Sequence, residues 1–122
     1  MRVYLSYARA DKPFVLEIAD RLDVHDVWYD HRISSGQVWW EQALKRLEWC
    51  QRFIYCFSEA SINSDYCLKE WAVAQRLGKP TVPVLIAPNL TIPDSLKYSE
   101  YIDFSGGLSV KAFKRLLDAL HD

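Results

Sequence analysis

Glycine is scarce in this chain, and its scarcity removes several common kinds of nucleotide site. The 122 residues include four glycines, at positions 36, 78, 106 and 107. None belongs to a GxGxxG or GxxxxGK[ST] pattern, so neither a Rossmann dinucleotide loop nor a P-loop is available. A GxSxG elbow is also missing, and the three histidines, at positions 25, 31 and 121, lie in predicted loops and at the terminus. A Ser-His-Asp hydrolase is therefore not favoured.

Charge of one sign and long apolar runs are lacking as well. The formal net charge is -1, and the 15 Lys and Arg residues are scattered without a run. The basic footprint of a protein that binds nucleic acid is therefore absent. No apolar stretch approaches the length of a membrane span, and Met1 leads directly into a predicted strand, which leaves no place for a signal peptide. We expect a cytoplasmic chain that binds neither nucleic acid nor a membrane.

Cysteine is present in an odd number and in no metal-binding arrangement. Cys50, Cys56 and Cys67 form no CxxC pair, and no histidine lies near them at the spacing of metal ligands. An odd number of cysteines offers no complete disulfide framework. We expect three reduced, buried thiols and no metal site.

The chain does contain a regular alternation of strand and helix patterns. Half of its residues are apolar, which is enough for one core at this length, so a single domain spans residues 1–122. Strands are predicted at residues 2–7, 27–29, 52–57, 81–86 and 101–104, and helices at residues 13–22, 39–49, 65–77 and after a Ser109 cap. This alternation is typical of an α/β fold with an open parallel sheet and helices on both faces.

In such a sheet, ligands bind beyond the carboxyl ends of the strands, where the strand order reverses. The side chains predicted at this edge are Ser6, Tyr7, Arg9, Asp30 and Ser58, with Glu70 in the helix that follows the third strand. The third strand ends without a carboxylate, so a phosphorelay receiver is excluded.

Glu70 differs from the other glutamates on predicted helices. Glu17, Glu41 and Glu48 each have a basic residue three or four positions away, which is the spacing of surface ion pairs. The corresponding neighbours of Glu70 are Tyr66, Cys67, Val73 and Ala74. A carboxylate among such neighbours either points to solvent or lines a pocket, because burial without a partner is unfavourable. The helical pattern alone favours solvent.

Three blocks of residues form a recognisable pattern along the chain. The blocks are Val3-Tyr4-Leu5-Ser6-Tyr7 with Arg9 and Asp11; Trp28-Tyr29-Asp30 with Ile33, Gly36 and Trp39-Trp40; and Ser64, Tyr66, Cys67 and Glu70. Together they resemble the Toll/interleukin-1 receptor (TIR) domain in its bacterial form, although Tyr66 replaces a tryptophan that is usual in the family and Ser35 replaces a proline. The resemblance implies a flavodoxin-like fold with a five-stranded parallel sheet.

The resemblance also implies an activity. Glu70 matches the glutamate with which catalytic TIR domains cleave NAD between nicotinamide and ribose, so NAD is expected as the substrate and no further cofactor is needed. Tyr66 is expected to stack on a ring or to wall the pocket, and Arg9 with the Ser6 hydroxyl to hold a phosphate. Among the other matched residues, Trp40 is expected in the core, while Asp30, Ile33 and Trp39 shape the nicotinamide side or contact a neighbouring protomer, and Tyr7 lies at the same edge.

Two other functions stay open at this point. Many TIR domains are non-catalytic scaffolds, and a nucleoside deoxyribosyltransferase shares the same glycosidic chemistry. The resemblance further implies self-association with other TIR domains through residues 30–38. The segment from Asp30 to Trp40 is polar, yet it carries Ile33, Val38 and two tryptophans, an apolar load that is unusual for a loop and its helix start. A sensor domain or partner protein, as in bacterial antiviral defence, would then activate the enzyme by assembly. The product would be ADP-ribose or its cyclised form.

Overall fold

A five-stranded parallel sheet forms the centre of the computed structural model, which describes residues 1–22, 24–29, 37–88, 90 and 101–121 and, for residues 37–39, the backbone alone. All four strand pairings are parallel, and the spatial order is β2-β1-β3-β4-β5. The strands are β1 (Arg2–Ser6), β2 (Asp26–Tyr29), β3 (Arg52–Phe57), β4 (Thr81–Leu85) and β5 (Ile102–Asp103). The predicted flavodoxin-like α/β fold with five parallel strands is therefore confirmed.

Five helices are described on the two faces of this sheet. They are α1 (Lys12–Arg21), α2 (Gln37–Trp49), α3 (Glu59–Ile62), α4 (Asp65–Arg76) and α5 (Val110–His121). Helices α1 and α5 contribute to one buried cluster, and α2 and α4 contribute to the other. The sequence patterns missed two short pieces, the 3₁₀ turn Arg9–Asp11 and helix α3.

Helix α4 has clear signals at both ends. At its start, the Ser64 side chain accepts a hydrogen bond from the Cys67 backbone N–H, which satisfies a donor that the helix itself leaves free. At its end, Gly78 has a φ of +69°, a conformation that glycine adopts without steric cost. The N–H groups of Gly78 and Lys79 donate to the carbonyls of Gln75 and Ala74, the pattern of a Schellman motif. The two caps fix where α4 begins and ends, and hence which of its side chains face the sheet.

Strand β1 is an interior strand of the sheet, between β2 and β3, and its side chains serve both faces. Because side chains alternate along a strand, Val3 and Leu5 enter the cluster under α1 and α5, whereas Tyr4 packs in the cluster under α2 and α4. Ser6 follows Tyr4 on the same face. The chain leaves β1 for β2 on one side and returns to β3 on the other, so the strand order reverses between β1 and β3. This is where a ligand is expected in such a sheet.

The three cysteines are all buried, and none of them forms a disulfide. Within the described ranges, no helix has both the length and the apolar character needed to cross a membrane.

Candidate active site

Glu70 lies on the buried side of α4, with only 2 % of its surface exposed. It shares that side with Cys67, Val73 and Ala74. The solvent-exposed position favoured by the helical pattern is therefore wrong. That pattern considered only neighbours on the same helix, whereas two partners of this carboxylate come from the sheet.

Two hydroxyl groups of β1 donate hydrogen bonds to the Glu70 carboxylate, one to each oxygen. The Tyr4 hydroxyl donates to Oε2, and Ser6 Oγ donates to Oε1 over 2.9 Å. Tyr4 and Ser6 are two residues apart, so the strand presents both side chains on the face that α4 covers. A buried carboxylate is costly without such partners, and these donors explain how the fold accommodates it.

The Tyr4 ring is fully buried and fixed by aromatic neighbours. Its centroid lies 4.9 Å from that of Trp28 and 5.6 Å from that of Phe53. Burial, reinforced by the negative charge of Glu70 and the hydrogen bond to it, raises the pKa of Tyr4 well above its usual value. The phenol therefore keeps its proton and serves as a donor to the carboxylate.

An aromatic and cationic group lies beside Glu70 on α2 and α4, formed by Trp40, Tyr66 and Lys69. The Tyr66 and Trp40 rings meet edge to face, with centroids 5.8 Å apart and planes at 81°. The Lys69 ammonium lies 4.1 Å from the centroid of the Trp40 ring. Trp40, expected in the core, is half-buried and packs against the cluster under α2 and α4. Tyr66 is half-buried and Lys69 is exposed, so this group reaches the surface.

A second carboxylate ties together the two turns at the reversal point. The Ser58 hydroxyl, directly after β3, donates a hydrogen bond to Asp11 Oδ2 in the 3₁₀ turn after β1. The same hydroxyl accepts from the Ser61 backbone N–H and so caps α3. The turn that carries Arg9 is thereby anchored to the end of β3.

The sequence profile described as TIR domain matches residues 3–117, almost the whole chain. The chain belongs to the TIR family. Among curated proteins, no sequence matches significantly. The described residues of this TIR domain contain no group of three or more histidine, cysteine or acidic side chains that could hold a metal ion.

Solved structures with low sequence identity share the fold. The TIR domain of the Toll-related receptor TRR-2 from Hydra magnipapillata has a TM-score of 0.79 at 19% identity, covering 99% of this chain and 98% of that one. The TIR domains of the activated Roq1 resistosome, which recognises the pathogen effector XopQ, have a TM-score of 0.72 at 15% identity, covering 97% of this chain and 98% of that one. The CMP N-glycosidase BcmB of Clostridium botulinum has a TM-score of 0.67 at 19% identity, covering 98% of this chain and 99% of that one.

The site residues predicted from the sequence of this TIR domain fall in different environments. Ser6 contacts Glu70 directly and is 1% exposed, so its hydroxyl is engaged inside the fold. Arg9 is exposed on the 3₁₀ turn. Tyr7 is 3% exposed and belongs to the cluster under α1 and α5, on the face opposite Glu70. The residues predicted in the loop, Asp30 and Ile33, lie outside the described residues, as does the Trp39 side chain.

Sequence reasoning missed Tyr4 as a partner of Glu70. Three signals pointed to it. A tyrosine within a continuous buried strand needs a partner for its hydroxyl, and Glu70 lacked a basic neighbour on its own helix. Alternation along β1 also places Tyr4 on the same face as Ser6.

Proposed function

We propose that this TIR domain is an NAD glycohydrolase in which Glu70 acts at the reacting ribose. The observation that carries the proposal is the Glu70 carboxylate itself, buried beside the reversal point and held by a hydroxyl on each oxygen. An ionisable group in such a setting at the ligand-binding edge of an α/β sheet is a candidate for catalysis. The fold shared with a CMP N-glycosidase is compatible with this chemistry.

A single carboxylate is sufficient for this reaction. The bond between ribose C1′ and the nicotinamide nitrogen breaks, and its electron pair stays on that nitrogen, so the cationic ring leaves as neutral nicotinamide. No general acid is needed, in contrast to the paired carboxylates of ordinary glycosidases. The ribose becomes oxocarbenium-like, and a fixed anion stabilises that charge. Water then adds at C1′ and loses a proton to give ADP-ribose, or the adenine attacks instead and gives a cyclic product.

The aromatic and cationic group beside Glu70 supplies recognition in this proposal. Tyr66 and Trp40 offer aromatic surface to a planar ring of the substrate. Lys69 places a positive charge one residue before Glu70, where it suits the pyrophosphate of NAD. Arg9 is exposed on the anchored turn after β1 and serves as a second phosphate contact. The Ser6 hydroxyl, expected from the sequence to assist it, donates to Glu70 instead.

The burial of Glu70 suggests how the activity is controlled. A carboxylate that is 2% exposed does not meet a substrate unless neighbouring groups move. We infer that the conformation described is a resting one and that assembly with other TIR domains, through residues 30–38, opens and completes the pocket. A sensor domain or partner protein would drive that assembly in an antiviral defence system. The activated resistosome in which the Roq1 TIR domains were solved is consistent with this type of control.

Nicotinamide release from NAD tests the proposal. The wild-type chain, clustered on a multivalent support, is expected to release nicotinamide, and Glu70→Gln to reduce the rate at least 100-fold while circular dichroism stays unchanged. Glu59→Gln, which alters an exposed glutamate in α3, is the matched control and should retain the rate. A folded Glu70→Gln variant with wild-type turnover would contradict the assignment.

CMP, free nucleosides and 2′-deoxynucleosides in parallel reactions distinguish the related activities. Cleavage of CMP but not NAD would assign a nucleotide N-glycosidase, the activity named for the Clostridium botulinum relative. Transfer between deoxynucleosides would assign a deoxyribosyltransferase. A folded, clustered chain that cleaves none of them would instead be a scaffold that mediates contacts between TIR domains.

A further inference from the structure

Tyr4 occupies a position in which its hydroxyl has little freedom. The ring is fully buried on an interior strand of the sheet, between Trp28 and Phe53. A tyrosine side chain has two rotatable bonds before its ring, and close packing against two aromatic neighbours fixes both. The location of the Tyr4 hydroxyl is therefore set by the core and not by the helix that carries Glu70.

The two donors on β1 restrain the orientation of the Glu70 carboxylate. Tyr4 bonds to Oε2 and Ser6 to Oε1, so rotation of the carboxylate about its terminal bond would break both contacts. Glutamate has several rotatable bonds, so the carboxylate would sample more directions without these two hydrogen bonds. A charge stabilises a transition state well only if it is already oriented before the reaction.

We propose that Tyr4 is a positioning residue for Glu70, and that its hydroxyl transmits the rigidity of the sheet to the catalytic carboxylate. The catalytic consequence rests on the proposed function, but the link between Tyr4 and Glu70 is measurable without turnover. Without the phenol, the carboxylate keeps Ser6 as its donor from β1 and loses its fixed direction.

Loss of the Tyr4 hydroxyl also changes the pH dependence of the rate. A donor to a carboxylate favours its ionised form, so Tyr4→Phe shifts the acidic limb of the rate profile to higher pH. Among the described residues, the titratable groups around this site include Tyr4 on β1, Cys50 between α2 and β3, Tyr55 on β3, and Tyr66 and Cys67 on α4. Burial raises the pKa of both Tyr4 and Tyr55, so neither phenol contributes to an acidic limb.

The structure provides a matched control in Tyr55. It is also fully buried, but its hydroxyl donates to the Ser61 carbonyl over 3.2 Å and not to Glu70. Tyr4→Phe and Tyr55→Phe each remove one buried hydroxyl from neighbouring strands. A merely structural role predicts similar effects of the two substitutions. A positioning role predicts that only Tyr4→Phe changes the chemistry.

The first measurement compares steady-state kinetics on NAD. We expect Tyr4→Phe to lower kcat roughly 10- to 100-fold with little change in KM, as for a misplaced catalytic group, and to move the acidic limb. Tyr55→Phe should stay within about twofold in kcat, as expected where the reacting geometry is undisturbed. Equal kcat for Tyr4→Phe and wild type, or equal losses in the two variants, would overturn the proposal.

The second measurement is a double-mutant cycle on thermal unfolding, which needs no activity. Tyr4→Phe and Glu70→Gln are combined, and the loss of Tm in the double variant should be smaller than the sum of the single losses, since both remove the same contact. The cycle of Tyr55→Phe with Glu70→Gln should be closer to additive. Coupling in the first cycle without NAD cleavage by the wild type would uphold the link and contradict the proposed function. Additivity in the first cycle would overturn the link itself.

Discussion

The Tyr66 and Trp40 rings meet edge to face, with centroids 5.8 Å apart, and so join α4 to α2 beside Glu70. Lys69 lies against the same Trp40 ring. An aromatic pair of this geometry stabilises by about 0.5–1.5 kcal/mol beyond its buried area. The two helices that carry the proposed substrate surface are therefore held together by the residues that form it.

Substitution of Tyr66 tests whether this surface takes part in catalysis. Tyr66→Trp keeps an aromatic face and is expected to retain NAD cleavage, whereas Tyr66→Ala removes it and should lower kcat/KM by roughly 10-fold or more, as loss of a stacked ring does. Nicotinamide release by the purified variants provides the measurement. If the alanine variant remained folded and as active as wild type, the ring would serve packing alone.

Self-association is predicted to control turnover. Residues 30–38 lie largely outside the described residues. The sequence from Asp30 to Trp40 is polar, yet it carries Ile33, Val38 and two tryptophans, an apolar load that is unusual for a connecting loop and its helix start. Association must offset several kcal/mol of lost translational and rotational freedom, so the dilute domain should be monomeric and nearly inactive. Specific activity should rise with protein concentration or on fusion to an oligomerising partner, and Ile33→Asp or Gly36→Pro should abolish that rise. Turnover per molecule that is constant from nanomolar to high micromolar concentration would show that one chain suffices.

The cysteines are predicted to react only after unfolding. Burial raises the pKa of the Cys50 and Cys56 thiols, and the thiolate is the reactive form, so both resist modification at neutral pH. Titration with a thiol reagent should find three groups in the denatured, unreduced protein and slow reaction in the native one. A single reactive group after denaturation would reveal a disulfide and contradict this prediction.

His25 is predicted to make stability depend on pH. Burial, with contributions from the positive charge of the N-terminus and from the nearby His121, lowers the pKa of His25 from its ordinary 6.5. The unfolded chain then binds this proton more readily than the folded one, so stability is complete above about pH 6.5 and falls as the pH drops below it.

His25→Phe should reduce this loss, since neither ring nitrogen of His25 has a hydrogen-bond partner among the described residues. Urea midpoints of wild type and variant at pH 7.5 and 5.5 provide the comparison, in which effects of the carboxylates cancel. An equal drop in both proteins would exclude His25 as the cause.

Most of the fold was predictable because it depends on local patterns. The continuous apolar run of β3 was predicted with the bounds that the structure shows, Arg52–Phe57, and Ser64 and Ser109 cap helices as their positions suggest. Helix α3 was missed because it has four residues, and its capping box uses Ser61 where a recognisable box has glutamate or glutamine.

The environment of Glu70 was not predictable in the same way. Its charge, its lack of basic neighbours and its place at the sheet edge follow from sequence spacing. Its burial depends on how α4 lies across β1, which is a packing relationship between distant segments. The same limit applies to the Ser58 and Asp11 contact, which joins residues 47 positions apart.

The hydrogen bonds to Glu70 join residues 66 and 64 positions apart in the chain. Contacts of such long range form late in folding, because the chain entropy of closing the intervening loop must first be overcome. A nascent or partly folded chain can contain every helix and still lack the carboxylate site. Any opening motion that lifts α4 from β1 would separate the acid from both donors at once, so exchange of the α4 amide hydrogens and loss of the site should report the same event.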